Sequence, residues 1–107
     1  MILSNHVKQE RADRYAFIAS TIGLGTVVHS HKQEWGKDNR EPHTVNITST
    51  GVAMVMSADG VLVTLYILSI QEAKKYFIDT TMPMLLEAII KRNTKRRLHI
   101  IQNEKKF

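Results

Sequence analysis

The sequence predicts a single α+β domain in which helices cover a twisted, mainly antiparallel sheet of three or four strands. Between residues 43 and 69, three short apolar runs follow the period of two that half-buried strands show. Thr50-Gly51 and Ala58-Asp59-Gly60 separate the runs, and Asp-Gly favours a tight hairpin because glycine accepts a positive φ. Three strands need a cover, so we expect the N-terminal helices on one face and the C-terminal helices on the other face or at an edge.

Two helical segments are expected before the sheet. Ser4 is a favourable N-cap, which predicts a first helix that runs to about Phe17. A second helical segment is predicted over residues 18–24. Gly25 has the position of the residue that stops this segment, because glycine is the usual C′ residue.

A strand and a polar loop are expected next. Residues 26–31 are predicted to form a strand in which His29 and His31 point the same way. Two histidines without a third ligand are a weak signal, so neither a metal site nor a cofactor is predicted. Residues 32–42 are polar and contain turn-forming residues, which predicts a surface loop. Trp35 within this loop is expected either to pack on the core or to stack on a base.

Further helices are predicted after the sheet. Ser69 and Glu72 have the spacing of a capping box, which starts a helix that runs to about residues 77–78. A third helix is expected over about residues 81–103, with Pro83 in its first turn. The predicted core consists of the inward apolar positions of all these elements: Val7, Ile18, Ile22, Val28, Val45, Ile47, Val52, Met54, Val61, Val63, Leu65, Ile67, Phe77, Leu85, Leu86 and Ile89.

Charge is unevenly distributed over this domain, which divides into a helix–helix–sheet part (4–69) and C-terminal helices (70–107). Residues 1–90 carry 8 basic and 9 acidic residues, whereas residues 91–107 carry 7 basic residues and 1 acidic residue. Such an asymmetry is typical of a segment that binds a polyanion, and the alternative is a solvated helix face. We predict that the contacts to nucleic acid come from Lys91, Arg92, Lys95, Arg96 and Arg97.

Composition excludes several other classes of protein. The chain has no cysteine, which rules out a disulfide framework and a thiolate metal site. No apolar run reaches the roughly 18 residues that a membrane helix needs, and the N-terminus lacks the apolar stretch of a signal peptide. The Gly-rich loops of nucleotide-binding folds are also missing. We therefore expect a cytoplasmic protein that has no membrane partner.

A second group of residues favours chemistry on RNA. His6, Arg11 and Arg14 lie on the predicted first helix, and Thr64 and Tyr66 share one face of the predicted last strand. Histidine transfers protons near neutral pH, arginine holds phosphate, and hydroxyl groups orient it. These five residues suit metal-independent cleavage, in which the ribose 2′-OH attacks the adjacent phosphate. The alternative is structural: a solvated histidine, paired arginines, a strand threonine and a core tyrosine.

The order of these motifs resembles the superfamily of small RNases that includes RelE-type, BrnT-type and colicin-D-type toxins. The resemblance covers residues 4–68 and rests on S-x-H-x-x-x-x-R-x-x-R at residues 4–14, Gly25, the two glycine turns and Val63-Thr64-Leu65-Tyr66. It implies a toxin-type RNase whose functional residues are His6, Arg11, Arg14, Thr64 and Tyr66. Three features depart from the pattern. Glu10, followed by Arg11, stands where relatives often have a basic residue one turn after the histidine, the strands have no lysine cluster, and helices follow the sheet.

Three functions remain open at this point. The first is a small RNase-like domain that cleaves or binds RNA, with RNA favoured over DNA. The second is a non-catalytic nucleic-acid-binding or regulatory protein of phage or mobile-element origin. The third is a module that binds a protein, such as an inhibitor of a host enzyme, through the Trp35 loop or an edge strand. An exposed edge is also compatible with a homodimer.

Overall fold

The computed structural model describes residues 2–35 and 41–97, which form a sheet with helices packed on it. The elements in chain order are β1 (Ile2–Leu3), α1 (Asn5–Glu10), α2 (Ala12–Phe17), a π-helical turn (Ile18–Ile22), β2 (Val27–Trp35), β3 (Glu41–Thr48), β4 (Val52–Met56), β5 (Val61–Ile67), α3 (Ile70–Tyr76) and α4 (Met84–Arg92). The strand order is β1-β5-β4-β3-β2, in which β1 runs parallel to β5 and all other neighbours are antiparallel.

The α+β class and the mainly antiparallel sheet are confirmed, but the strand number is not. The described residues contain five strands instead of three or four. The additional strand, β1, pairs only two residues with β5, so it is too short to produce a hydrophobic period in the sequence.

The predicted hairpin turns join β3 to β4 and β4 to β5. Gly51 has a φ of +80° and Gly60 a φ of +79°, a region that side chains with a Cβ rarely adopt. The Gly51 N–H donates to the Thr48 carbonyl at 3.0 Å, and the Gly60 N–H donates to the Ser57 carbonyl at 3.0 Å. Both turns therefore lie where the sequence places them.

The sequence assigns residues 32–42 to a loop, but their described parts, residues 32–35 and 41–42, are strand, so this prediction is wrong there. β2 continues through Trp35, and Lys32 lies opposite Thr44 on β3. Backbone pairing with β3 outweighs the polar composition, because a strand at the edge of a sheet leaves its side chains in water. The predictions for residues 36–40, for the Trp35 side chain and for the helix beyond residue 97 lie outside the described residues.

The N-terminal helical region differs in two details from the prediction. Ser4 caps α1 as expected, because its Oγ accepts a hydrogen bond from the Val7 N–H at 3.2 Å. The chain leaves the helical conformation at Arg11, where φ is −128° and ψ is 20°, so the first helix is divided into α1 and α2. The next segment is a π-helical turn that already stops at Gly23, since this glycine has a φ of +85°.

The C-terminal helices begin close to their predicted starts. The capping box is present, with Ser69 Oγ accepting from the Glu72 N–H and Glu72 Oε1 accepting from the Ser69 N–H, both at 3.2 Å. Pro83 is the N-cap of α4 rather than a residue of its first turn. Asn93 interrupts the last helix as a turn, and residues 94–97 are helical again.

Two apolar clusters lie on the two faces of the sheet. The face that we call the N-terminal side packs against α1 and the π-helical turn. Its buried residues are Val7, Ile18, Val52, Met54, Leu62, Leu65 and Ile67. The C-terminal side contacts α3 and α4, and its buried residues are Val45, Ile47, Ala53, Val55, Leu68, Ala73, Leu86 and Ile90. The strands β4 and β5 contribute to both clusters, because their successive side chains point to opposite faces.

A β-bulge explains the main error in the predicted core. The β4–β5 register shifts so that Val63 has no partner on β4, and Leu62 is buried while Val63 is only half-buried. Val28 on the edge strand and Leu85 on the outer side of α4 are exposed, although both were predicted to be core. The buried apolar residues that the prediction omitted are Ala53, Val55, Leu62, Leu68, Ala73 and Ile90.

Candidate nucleic-acid interface

The predicted catalytic residues fall on opposite sides of the sheet. His6, Arg11 and Arg14 belong to the N-terminal helical region. Thr64 stands opposite a β4 residue of the C-terminal core, and Tyr66 packs against the same core. Because the sheet lies between the two groups, the structure does not bring these five side chains into one site.

The N-terminal members of this group interact with nearby parts of the protein. The His6 Nδ1 lies 2.6 Å from Glu10 Oε2 in an exposed i, i+4 pair. The Arg14 Nη1 donates to the Leu65 carbonyl at 3.1 Å, which satisfies a carbonyl of β5 beyond the point where β1 pairs with this strand. The Arg11 Nη1 donates to the Glu10 carbonyl at 3.1 Å, whereas its buried Nε has no hydrogen-bond partner in the described residues.

Tyr66 belongs to a group of rings on the C-terminal side, where β2 and β5 face α3. Its hydroxyl oxygen lies 2.9 Å from that of Tyr76. The Tyr76 ring meets the His31 ring edge to face at 5.5 Å, and the Phe77 ring meets the His29 ring at 4.5 Å. We call these five residues the ring cluster. Burial, followed by the hydrogen bond with Tyr76, raises the pKa of Tyr66, so this phenol stays protonated at neutral pH.

The ring cluster has an exposed rim and a buried interior. The His31 side chain at the rim is exposed, and the other four rings are half-buried. The Nε2 atom of His29 is buried, yet it finds no hydrogen-bond partner between residues 2–35 and 41–97. Leaving a buried polar atom unpaired costs about 1–3 kcal/mol, so an apolar side chain at this position is expected to stabilise the fold.

An ion pair connects the ring cluster to the end of the last helix. The Arg97 Nη2 lies 2.7 Å from Glu72 Oε1, and the two side chains are 30% and 32% exposed. Both charges also act on Tyr66, because Glu72 raises the pKa of its hydroxyl and Arg97 lowers it. Arg97 was predicted to contact phosphate, but in the structure its guanidinium binds a carboxylate.

The other four predicted binding residues form an exposed strip along the same helix. Lys91, Arg92, Lys95 and Arg96 are all exposed, and we call them the basic strip. Lys91 forms an i, i+4 ion pair with Glu87, with 3.3 Å between Nζ and Oε1. The strip therefore carries more positive charge than the neighbouring acidic residue can neutralise.

The buried side of α4 fixes the direction in which the basic strip points. Leu86, Ile90 and Asn93 recur at spacings of four and three, and all three are buried. The Asn93 Nδ2 donates to the Thr50 carbonyl at 3.1 Å, and a Cβ on Gly51 would lie only 3.0 Å from Ile90 Cγ1. Because this stripe is held against the β3–β4 turn, Lys91 and Arg92, which lie between Ile90 and Asn93, point to water, and Lys95 and Arg96 are exposed on the helical residues that follow Asn93.

Within residues 2–35 and 41–97, no group of three or more histidine, aspartate or glutamate side chains could hold a metal ion. No helix in the same residues is long and apolar enough to cross a membrane. Comparison of the chain with protein families, curated proteins and solved structures gives no match. The resemblance to the small RNases therefore stays a prediction.

The sequence did not predict His31, Tyr76 or Glu72 as parts of a site. The common face of His29 and His31 was visible as a period of two on a predicted strand. Their contacts with α3, however, join residues that lie far apart in the chain and on different elements. Such contacts leave no local pattern in the sequence.

Proposed function

We propose that this protein binds nucleic acid through the basic strip and acts without cleaving it. The observation that carries this proposal is that the four cations of the strip are exposed while the opposite stripe of the helix is buried. Exposed lysine and arginine side chains suit phosphate binding, because each neutralised phosphate releases condensed counterions. The preference for RNA over DNA comes from the resemblance and is part of the test.

The arrangement of charges supports this use of the strip. Glu87 pairs with Lys91, and Glu72 is occupied by Arg97 on the inner side of the last helical turn. Arg92, Lys95 and Arg96 are spaced three and four residues apart, so they are neighbours on the helix surface. A polyanion can therefore meet several cations at once without displacing an ion pair.

Binding is favoured over cleavage because the predicted catalytic group does not converge. Metal-independent cleavage needs a proton-transfer group and anion-stabilising groups within hydrogen-bond reach of one phosphate. His6 pairs with Glu10, Arg14 binds a main-chain carbonyl of β5, and Tyr66 lies on the far side of the sheet. These positions do not surround a common phosphate.

The test is fluorescence anisotropy with a labelled RNA at several salt concentrations, in the presence of EDTA. We expect the logarithm of the affinity to fall linearly with the logarithm of the salt concentration. Replacing Arg92, Lys95 and Arg96 by glutamine should reduce this slope by about 2, since single strands give about 0.7 per phosphate contact. The same assay with DNA of equal sequence measures the preference for RNA.

The matched control removes a charge on the other side of the sheet. Lys8 on α1 is exposed, and Lys8→Gln should leave the salt slope nearly unchanged, whereas Lys95→Gln should reduce it by about 0.7. Equal losses in these two single variants would contradict the proposal, because binding would then depend only on net charge. Cleavage of the RNA by the wild type and not by His6→Ala would overturn the non-catalytic assignment.

The edge strand β2 supports a second candidate function, the binding of a protein strand or a second copy of the chain. Among the described residues, β2 pairs with β3 alone, and Val27 and Val28 are 55% and 49% exposed. An edge strand with exposed apolar side chains can accept another strand. Light scattering should then give a dimer mass for the wild type and a monomer mass for Val28→Lys.

A further inference from the structure

We propose that the ring cluster restricts the basic strip to single-stranded nucleic acid, by stacking an unpaired base on the rings of His31 and Tyr76. This inference rests on the function proposed above, since it names the substrate class of the same surface. It is carried by one juxtaposition: exposed and half-buried rings lie next to the cationic end of the last helix.

The rings have the properties of a stacking site. His31 is exposed on the edge strand, and the Tyr76 ring supports it from α3 at a centroid distance of 5.5 Å. Bases in a duplex are stacked on one another and paired, so their faces are covered. A protein ring can reach the face of a base only when the base is unpaired, and every base offers such a face.

A continuous series of contacts connects the rings to the cations. Arg97 follows the last residue of the basic strip directly, and it binds Glu72 on α3 at 2.7 Å. Both charges lie near enough to Tyr66 to act on its hydroxyl, and that hydroxyl contacts Tyr76 at 2.9 Å. A strand whose phosphates lie on the strip can thus place a neighbouring base on the rings.

Charge at the rings does not repel a phosphate chain. The carboxylate of Glu72 is paired with Arg97, and the exposed Lys32 and Lys75 are the chain neighbours of His31 and Tyr76. Tyr66 and Tyr76 share one hydrogen bond between their hydroxyls. One hydroxyl donates to the other, so the second retains an O–H that can donate to a base edge or to a ribose 2′-OH.

The test compares single-stranded RNA of about 12 nucleotides with the blunt duplex of the same sequence. We expect the wild type to bind the single strand at least about tenfold more tightly than the duplex. His31→Ala should weaken single-strand binding about tenfold and leave duplex binding unchanged, because a stacked base is lost while the phosphate contacts remain. The salt slope of this variant should equal that of the wild type.

Two further variants and one control sharpen the result. Tyr76→Phe keeps the ring and should retain most of the single-strand affinity, whereas Tyr76→Leu should lose it. His6→Ala makes the same change at an exposed histidine on α1 and should alter neither affinity. Circular dichroism establishes whether each variant is folded. If Tyr76→Leu unfolds, the result for His31→Ala decides the test, because His31 is exposed and its replacement should not disturb the fold.

The outcomes separate this inference from the function on which it rests. Equal affinity for duplex and single strand, or an unchanged single-strand affinity in folded His31→Ala, overturns the inference while binding through the strip stands. If the wild type binds neither nucleic acid, or the strip variant binds both as well as the wild type does, the proposed function itself is wrong.

Discussion

The two sides of the sheet use positive charge in opposite ways. On the N-terminal side, Arg14 is engaged by a hydrogen bond to a β5 carbonyl and His6 by a hydrogen bond with Glu10 of its own helix. On the C-terminal side, Arg92, Lys95 and Arg96 are exposed above a buried helical stripe. Arg11 and Arg14 are three residues apart, as are Arg92 and Lys95, so spacing alone does not identify a binding surface. What lies beneath the helix decides whether its cations face the protein or the solvent.

The two sides also differ in how polar groups enter the packing. On the N-terminal side, Arg14 donates to the Leu65 carbonyl, and the buried Nε of Arg11 has no partner among the described residues. The C-terminal side includes a tyrosine pair, an ion pair and a histidine nitrogen without a partner in the described chain. An unpaired buried nitrogen therefore occurs on both sides, and we assign function to the C-terminal side because its rings lie beside exposed cations.

The largest expected effect concerns the attachment of α4 to the β3–β4 turn. Gly51→Ala should lower the free energy of unfolding by about 2–4 kcal/mol, because a Cβ at this position combines left-handed strain with overpacking. The Cβ would lie 3.0 Å from Ile90 Cγ1. Denaturant unfolding measures the change.

Gly60→Ala is the matched control for this position. Gly60 has nearly the same φ, +79° against +80°, and a Cβ added to it would have no neighbour within 4 Å. Its replacement should cost only the backbone strain of about 1–2 kcal/mol. Equal costs for both substitutions would show that α4 does not rest tightly on the turn.

The next largest effect separates a structural arginine from a binding arginine. Arg14→Ala should lower stability by about 1.5–3 kcal/mol, since a charged donor to a partly buried carbonyl is lost, and should leave RNA affinity unchanged. Arg96→Ala should do the reverse, with stability within about 0.5 kcal/mol of the wild type and weaker RNA binding. Denaturant unfolding measures the stability of both variants, and fluorescence anisotropy measures their RNA affinity. Loss of RNA binding in an Arg14→Ala protein of unchanged stability would contradict this prediction.

A smaller effect of opposite sign is expected at His29. Its Nε2 is buried without a partner among the described residues, so His29→Leu should raise stability by about 1 kcal/mol. Thermal unfolding measures the gain, and His31→Leu at the exposed rim is the control that should change little. Destabilisation by His29→Leu would contradict this account, because losing the ring contact with Phe77 would then outweigh removing the unpaired nitrogen.

The smallest effect is a dependence of stability on alkaline pH. The pKa of Tyr66 is raised in the folded protein, chiefly by burial and then by the hydrogen bond with Tyr76. The stabilising contribution is therefore complete below the usual tyrosine pKa of about 10 and is lost as the pH rises above it. Above pH 10 the wild type should lose stability more steeply than Tyr66→Phe, and parallel pH profiles of the two proteins would contradict the assignment.

Local signals in the sequence were sufficient for the centre of the fold. The glycine turns, the period-two runs and the Ser69 capping box each depend on residues a few positions apart, and each appears in the structure. Long-range pairing produced the errors. The extension of β2 depends on its partner β3, and the burial of Leu62 depends on a bulge against β4.

The candidate interface could be predicted only in part for the same reason. The basic residues were visible as a run of charge, and four of the five are exposed on one helix. Arg97 differs because it falls on the inner side of the helix and meets Glu72 from α3. The contact between His31 and Tyr76 joins an edge strand to a helix, and no spacing in the sequence encodes it.

The most direct test of the central claim is a map of backbone amide chemical shifts during titration with a single-stranded RNA, recorded on the ¹⁵N-labelled protein. Nucleic acid that binds the C-terminal side should shift the amides of residues 91–97 together with those of His31 and Tyr76, and should leave α1 and α2 unchanged. Shifts concentrated on residues 5–17, with residues 91–97 unaffected, would contradict the account and return the binding surface to the N-terminal side.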